Sequence, residues 1–209
     1  MSIVPHSLPQ EPEYAWEVAT LFPAQGQWSE AEYLDLTDES KRRIELAQGR
    51  LEFLPMPTEI HEALLQFLFF TVHSYVNSRN LGKVYWNGIR LRIRPGQIRL
   101  PDVIFLHKDH YRARHNRVWD GADLVMEVVS DDPKDRQRDY ETKLADYAAA
   151  KIAEYWIIDY ERRKVLVHRL EGERYVIQGE FVPGQQAASA LLAGFIVDVS
   201  ALFAAAADI

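Results

Sequence analysis

The chain has 209 residues, 47% of them hydrophobic and 26% charged, which is enough for one full core and short for two. It contains no cysteine, which excludes a disulfide framework, a thiolate nucleophile and a zinc-cysteine cluster, and fits a reducing cytoplasm. With 24 basic and 31 acidic residues the net charge is −7, which taken alone argues against a nucleic-acid partner.

At the amino end, MSIVPHSLPQEPEYAWEV lacks a basic region followed by an apolar one, so no secretory signal is legible, and its prolines predict an irregular arm over residues 1–27. Residues 28–209 read as one domain. Ser29 and Glu32 have the spacing of a capping box and predict a short helix. RRIELAQGRLEFLP follows as two short alternating runs around Gln48-Gly49, a hairpin signal. Ile60, Leu64, Leu65, Leu68, Phe69, Val72 and Val76 recur at helical spacing and predict a helix packed on the core. KVYWN, IRLRIRP and RLPDVIFL are three strand candidates, and a polar loop leads from them to the apolar run of DLVMEVVS. A helix from about Asp135 to Ala150, a strand EYWIIDY and the hairpin pair KVLVHRL and RYVIQGE come next. The apolar tail AASALLAGFIVDVSALFAAAA is interrupted by Gly194 and Asp198 and has no flanking Lys or Arg, so it reads as a strand through Phe195, Val197 and Val199 rather than a membrane span. Ser200 would cap a short helix after it. Strands mixed with helices predict an α/β domain.

Glu127 stands inside the run Leu124, Val125, Met126, Val128, Val129, where a carboxylate needs a partner or a metal. Asp102 follows Pro101 at the start of another apolar strand, and two carboxylates on adjacent strands can converge on one oxygen-ligated divalent cation. By itself Asp102 reads better as a turn or strand-start residue. Lys143 lies three residues after Tyr140 and four before Tyr147, beside the inward stripe of Tyr140, Leu144, Tyr147 and Ala148. It either reaches Glu127 or lays its stem along the core edge with the ammonium in water. Arg90, Arg92 and Arg94 alternate with Leu91 and Ile93, which places them on one strand face, either solvated or phosphate-contacting. His107, His110 and His115 lie in a segment without periodicity and read as part of a solvated basic loop. Tyr155 and Trp156 read as core rather than a stacking platform.

PDVIF, MEVVSDDPKDRQRDYETKLADYAAAKIAEYWIID and IELAQGRLEFLPMPTEIH together resemble the Uma-type family of putative restriction endonucleases, a branch of the PD-(D/E)XK nuclease superfamily. The resemblance implies a restriction-endonuclease-like fold, a central mixed sheet flanked by helices with the acids at one sheet edge. It implies that Asp102 and Glu127 are the two motif acids, that Lys143 takes the place of the superfamily lysine, absent at Val129, and that Glu45 is a further acid near the site. His61 also matches a position where the family tends to carry a histidine, although a helix-terminal polar residue is the better reading of it. Asp102 and Glu127, with the carbonyl of Val128, would then hold Mg²⁺ or Mn²⁺, Lys143 would orient or help deprotonate the attacking water, and Glu45 would ligate or position an ion. The implied activity is a metal-dependent endonuclease acting on DNA, with Arg90, Arg92 and Arg94 on phosphates, and a homodimer would suit paired cuts. A catalytically silent nucleic-acid-binding or protein-interaction module on the same fold is the alternative.

Overall fold

The computed structural model describes residues 22–129 and 136–209. Most of the expected arm, residues 1–21, and the expected helix start at Asp135 lie outside the described residues. Helix α1 (Glu30–Glu39) opens with the capping box: the Ser29 hydroxyl accepts from the Glu32 N–H, and the Glu32 carboxylate accepts from the Ser29 N–H at 2.9 Å. Strands β1 (Ile44–Ala47) and β2 (Arg50–Phe53) pair antiparallel across Gln48-Gly49, whose φ angles of 52° and 73° are those of a tight hairpin turn. Gly49 is doubly required, since a Cβ there would meet the Gly26 carbonyl oxygen at 2.6 Å.

Helix α2 (Glu59–Ser78) buries Leu64, Leu65, Leu68, Phe69, Val72 and Val76, the stripe its periodicity predicts. Each such side chain contributes on the order of 1.5–3 kcal/mol, an upper bound because the unfolded chain is already partly compact. Strands β3 (Gly82–Trp86), β4 (Leu91–Arg94), β5 (Gln97–Arg99) and β6 (Val103–His107) come next. The run RLPDVIFL, predicted as one strand, is therefore two. Pro101 has no N–H to give to a ladder, so β5 stops before it and β6 starts after it in a different sheet, leaving Asp102 at the junction.

The segment after β6, predicted as a loop, winds into a 3₁₀ helix over Lys108–Ala113, started by the Asp109 N–H donating to His107 Nδ1 at 3.3 Å. Strand β7 (Leu124–Val128) leads through a π-helical turn (Arg138–Thr142) into helix α3 (Lys143–Ala149). Then follow β8 (Glu154–Asp159), β9 (Lys164–Glu171), β10 (Arg174–Phe181), β11 (Gln186–Ala188), β12 (Ile196–Asp198) and helix α4 (Val199–Ala204). Asp198, not Ser200, caps α4, its carboxylate accepting from the Ala201 N–H at 2.9 Å, while the Ser200 hydroxyl accepts from the Gly184 N–H instead. Among the described residues no helix is long and apolar enough to cross a membrane.

The main sheet has the order β10-β9-β8-β7-β6-β3, mixed because β7 and β8 are parallel while their neighbours are antiparallel. A smaller antiparallel sheet, β2-β1-β5-β4, stands beside it. Strand alternation divides the main sheet's side chains between two cores. Leu124, Met126 and Val128 join Leu68, Phe105 and Trp156 under α2, whereas Val125 and Val129 join Tyr147, Ile157 and Trp119 under α3. Glu127 shares the second parity and therefore faces α3. Val103 opposes Met126, so the next pair outward is Asp102 with Glu127, on that same face. The two acids thus sit side by side at the ends of two interior strands. Tyr155 and Trp156 are buried core residues, as expected.

Candidate active site

Asp102 is gripped from three directions. Its Oδ2 accepts from the backbone N–H of Val128 at 3.0 Å, so a side chain continues the β6–β7 ladder past the point where Pro101 would have ended it. His61, in the first turn of α2, donates from Nε2 to the same oxygen at 3.1 Å, and Arg43, just before β1, reaches Oδ1 at 3.2 Å. His61 is thus more than the helix-terminal polar residue its position suggested. Burial works to raise the Asp102 carboxyl, but the His61 hydrogen bond and charge, with Lys143 and Arg43, outweigh it and hold the group well below the usual carboxylate range.

Glu127 is held differently. The Tyr147 hydroxyl donates to its Oε1 at 2.5 Å, and the Lys143 ammonium stands 2.9 Å from its Oε2. Lys143 is only 3% exposed, so it does not run out to water. It also lies 2.9 Å from Asp139, one turn earlier on the helix, in the π-helical stretch, a geometry often found at functional sites. Burial, with Asp102 and Asp139 nearby, raises the Glu127 carboxyl against the pull of Lys143. Burial raises Asp139 likewise. Lys143 moves upward despite its burial, because Asp139, Glu127 and Glu45 surround it, so it stays an ammonium.

Asp102, Glu127, Asp139, Lys143, His61 and Arg43 line a cavity of about 300 Å³ together with the apolar segment Leu54–Pro57. Glu45 does not line it. Its carboxylate accepts from Arg99 NH1 at 2.8 Å and from the Leu100 N–H at 2.9 Å, and Arg99 also pairs with Asp146 at 2.8 Å. Glu45 therefore ties β1 to the chain entering Asp102, while Arg99 ties β5 to the helix carrying Lys143. Arg90 is paired with Asp38 at 2.7 Å, and Arg92 with both Glu30 and Asp120. Arg94 is exposed, and a register shift in β4 separates it from Arg92. Asp139, Arg43 and Tyr147 were not singled out beforehand as site residues. The spacing of Asp139 four before Lys143 is the signal that could have found it; Arg43 had no such cue.

Residues 30–200 match the Uma2 family, described as "Putative restriction endonuclease". The chain belongs to that family. Among curated proteins none matches this chain. A solved structure of similar fold is a crystal structure described as a putative nuclease belonging to DUF820 from Anabaena variabilis. It is 17% identical, covers 88% of this chain and 99% of its own, and superposes with a TM-score of 0.68. At that identity the likeness concerns the fold, in which this Uma2 chain shares the mixed sheet and its flanking helices.

Proposed function

We propose that this chain is a metal-dependent nuclease that hydrolyses phosphodiester bonds in DNA, with Asp102, Glu127 and Lys143 at its centre. The observation that carries this is the placement of two buried carboxylates side by side on one face of neighbouring strands, at the wall of a cavity, with an ammonium beside them. The donor set suits a hard divalent cation: two carboxylates and the Val128 carbonyl, all oxygen. Burial first, then Asp102 and Asp139, raise the Glu127 carboxyl, and a cation bound between the two acids would favour its ionised form. Asp102, Glu127 and Val128 would hold Mg²⁺ or Mn²⁺. Such an ion, when bound, lowers the pKa of a bound water and offsets charge on the scissile phosphate.

The chain's own groups supply the rest. Lys143, kept charged by its carboxylates, acts as a hydrogen-bond donor that orients water and faces developing negative charge. Asp139 lines the cavity beside it with a raised carboxyl and is placed to accept a proton. Arg43 offers a guanidinium to a phosphate. Glu45, turned away from the cavity, positions the chain around Asp102.

One observation favours the silent-module reading: each oxygen of Asp102 and Glu127 already has a protein donor, from Arg43, His61, Val128, Tyr147 or Lys143. Incubation with covalently closed plasmid and with single-stranded circular DNA, with Mn²⁺ and with EDTA, separates the two readings. Mn²⁺-dependent linearisation or nicking that disappears in Asp102→Ala supports the nuclease. Intact circles under every condition refute it.

A further inference from the structure

Three surface features point to the form of nucleic acid that the cavity receives. The first is the mouth. β2 ends at Phe53, 54% exposed, and the cavity wall that follows carries Met56, 87% exposed, between Pro55 and Pro57. Among the described residues, these large apolar side chains are left open beside a cavity of charged groups. The second is the charge beside them. Lys41 and Arg42 are exposed and, among the described residues, neither has a carboxylate partner, and the Arg42 guanidinium stands 5.9 Å over the Phe53 ring. Arg43 follows directly and reaches the cavity. The third is what has become of the basic segment 88–117. Arg90, Arg92 and Arg117 are paired with Asp38, Glu30, Asp120 and Asp35, and Arg99 is buried with Glu45 and Asp146.

A duplex needs an extended basic face for its two backbones and presents bases whose faces are already stacked. Ion pairs and burial take half of the segment's eight basic residues out of that face here, on a chain of net charge −7. An unpaired strand needs a short basic track with an aromatic ring beside it, because each base brings a free π-face, and Lys41 and Arg42 with Phe53 form such a track. The wall adds a preference for deoxyribose. Pro55 and Pro57 have no N–H, so it offers few partners to a 2′-hydroxyl.

We infer that the cavity takes an unpaired strand of DNA, with Phe53 and Met56 as the platform for a base and Lys41 and Arg42 on the phosphates; this rests on the nuclease reading above. The test is anisotropy of a labelled deoxythymidine 12-mer, the same-length duplex and the matching ribo-oligomer, bound in EDTA so that cleavage plays no part. The single DNA strand should bind at least tenfold tighter than either competitor. Phe53→Ala should weaken it roughly tenfold to a hundredfold, Phe53→Trp should restore it, and Arg42→Glu should weaken it and flatten its salt dependence. Phe53 is exposed, so its variants should melt as the wild type does. Equal or tighter binding of duplex or RNA, or unchanged affinity in Phe53→Ala and Arg42→Glu, overturns the inference. The two readings fail separately: Mn²⁺-dependent cutting of duplex circles at the rate of single-stranded ones removes the strand preference and keeps the nuclease. Tight single-strand binding without cutting removes the nuclease and keeps the surface.

Discussion

Removing the charge of Lys143 should lower stability far more than a surface lysine would, because both of its carboxylate partners are buried with it. Lys143→Met keeps the stem and deletes the ammonium that stands 2.9 Å from Glu127 and 2.9 Å from Asp139. A lysine lying along the core edge would lose about 0.5 kcal/mol or less. Breaking a buried pair leaves an uncompensated charge and costs about 3–5 kcal/mol. For a chain of this size each kcal/mol moves the melting midpoint by about 2–4 °C, so a drop of about 6–20 °C is expected. The assay is thermal denaturation in EDTA at neutral pH, followed by circular dichroism. The triple variant Lys143→Met, Glu127→Gln, Asp139→Asn should recover most of the loss, since it removes the stranded charges together with their partner. In the cleavage assay Lys143→Met should fall by orders of magnitude. A single variant that melts within about 2 °C of wild type, with no recovery in the triple, would show that Lys143 does not bridge these carboxylates.

Saturating Mn²⁺, at about a hundredfold above its Kd, should stabilise the wild type by about 2.7 kcal/mol, a rise of about 5–10 °C in the melting midpoint, and should leave Asp102→Asn unmoved. A rise of equal size in both proteins would place the ion elsewhere. Gly49→Ala should destabilise by more than about 1 kcal/mol, because φ is 73° and the new Cβ would stand 2.6 Å from the Gly26 carbonyl; chemical denaturation measures it, and a neutral result would mean that the turn opens freely. Burial lowers the pKa of His168, so its neutral form is favoured in the fold. Stability should therefore be full above the ordinary histidine range and decline as pH falls toward the folded value, by at most about 1.4 kcal/mol per pH unit. His168→Phe should flatten that slope, which denaturant midpoints between pH 5 and 8 would reveal.

Much of the fold is legible wherever one local pattern decides the outcome. The capping box at Ser29, the stripe from Leu64 to Val76 and the Gln48-Gly49 turn each need only neighbours in sequence, and each forms as read. Asp198 and Ser200 show the limit of such reading, since both are good caps and only the β11–β12 pairing puts Asp198 at the helix start. The oddity of Glu127 in an apolar run is legible as well, and Lys143 does meet it. Convergence of distant segments is not legible. Arg43 and His61 lie 59 and 41 residues from Asp102 and arrive only through folding. The pairing of the basic run at 88–117 is hidden for the same reason, because its acidic partners Glu30, Asp35 and Asp38 come from a helix 52 to 82 residues earlier.

The hydrogen bond from the Val128 N–H to Asp102 makes one carboxylate both a rung of the sheet and a member of the proposed centre. Such double employment shapes how a lineage can drift. Replacing Asp102 strips a ladder partner from β7 and strands Arg43 and His61, so selection for a folded chain alone would retain it. Glu127 can become glutamine with less damage to the sheet, because an amide oxygen still accepts from Tyr147 and Lys143 keeps Asp139 as a partner. An inactive descendant is therefore expected to keep its aspartate and lose its glutamate, and the residue at position 127 is the better marker of a working enzyme among relatives.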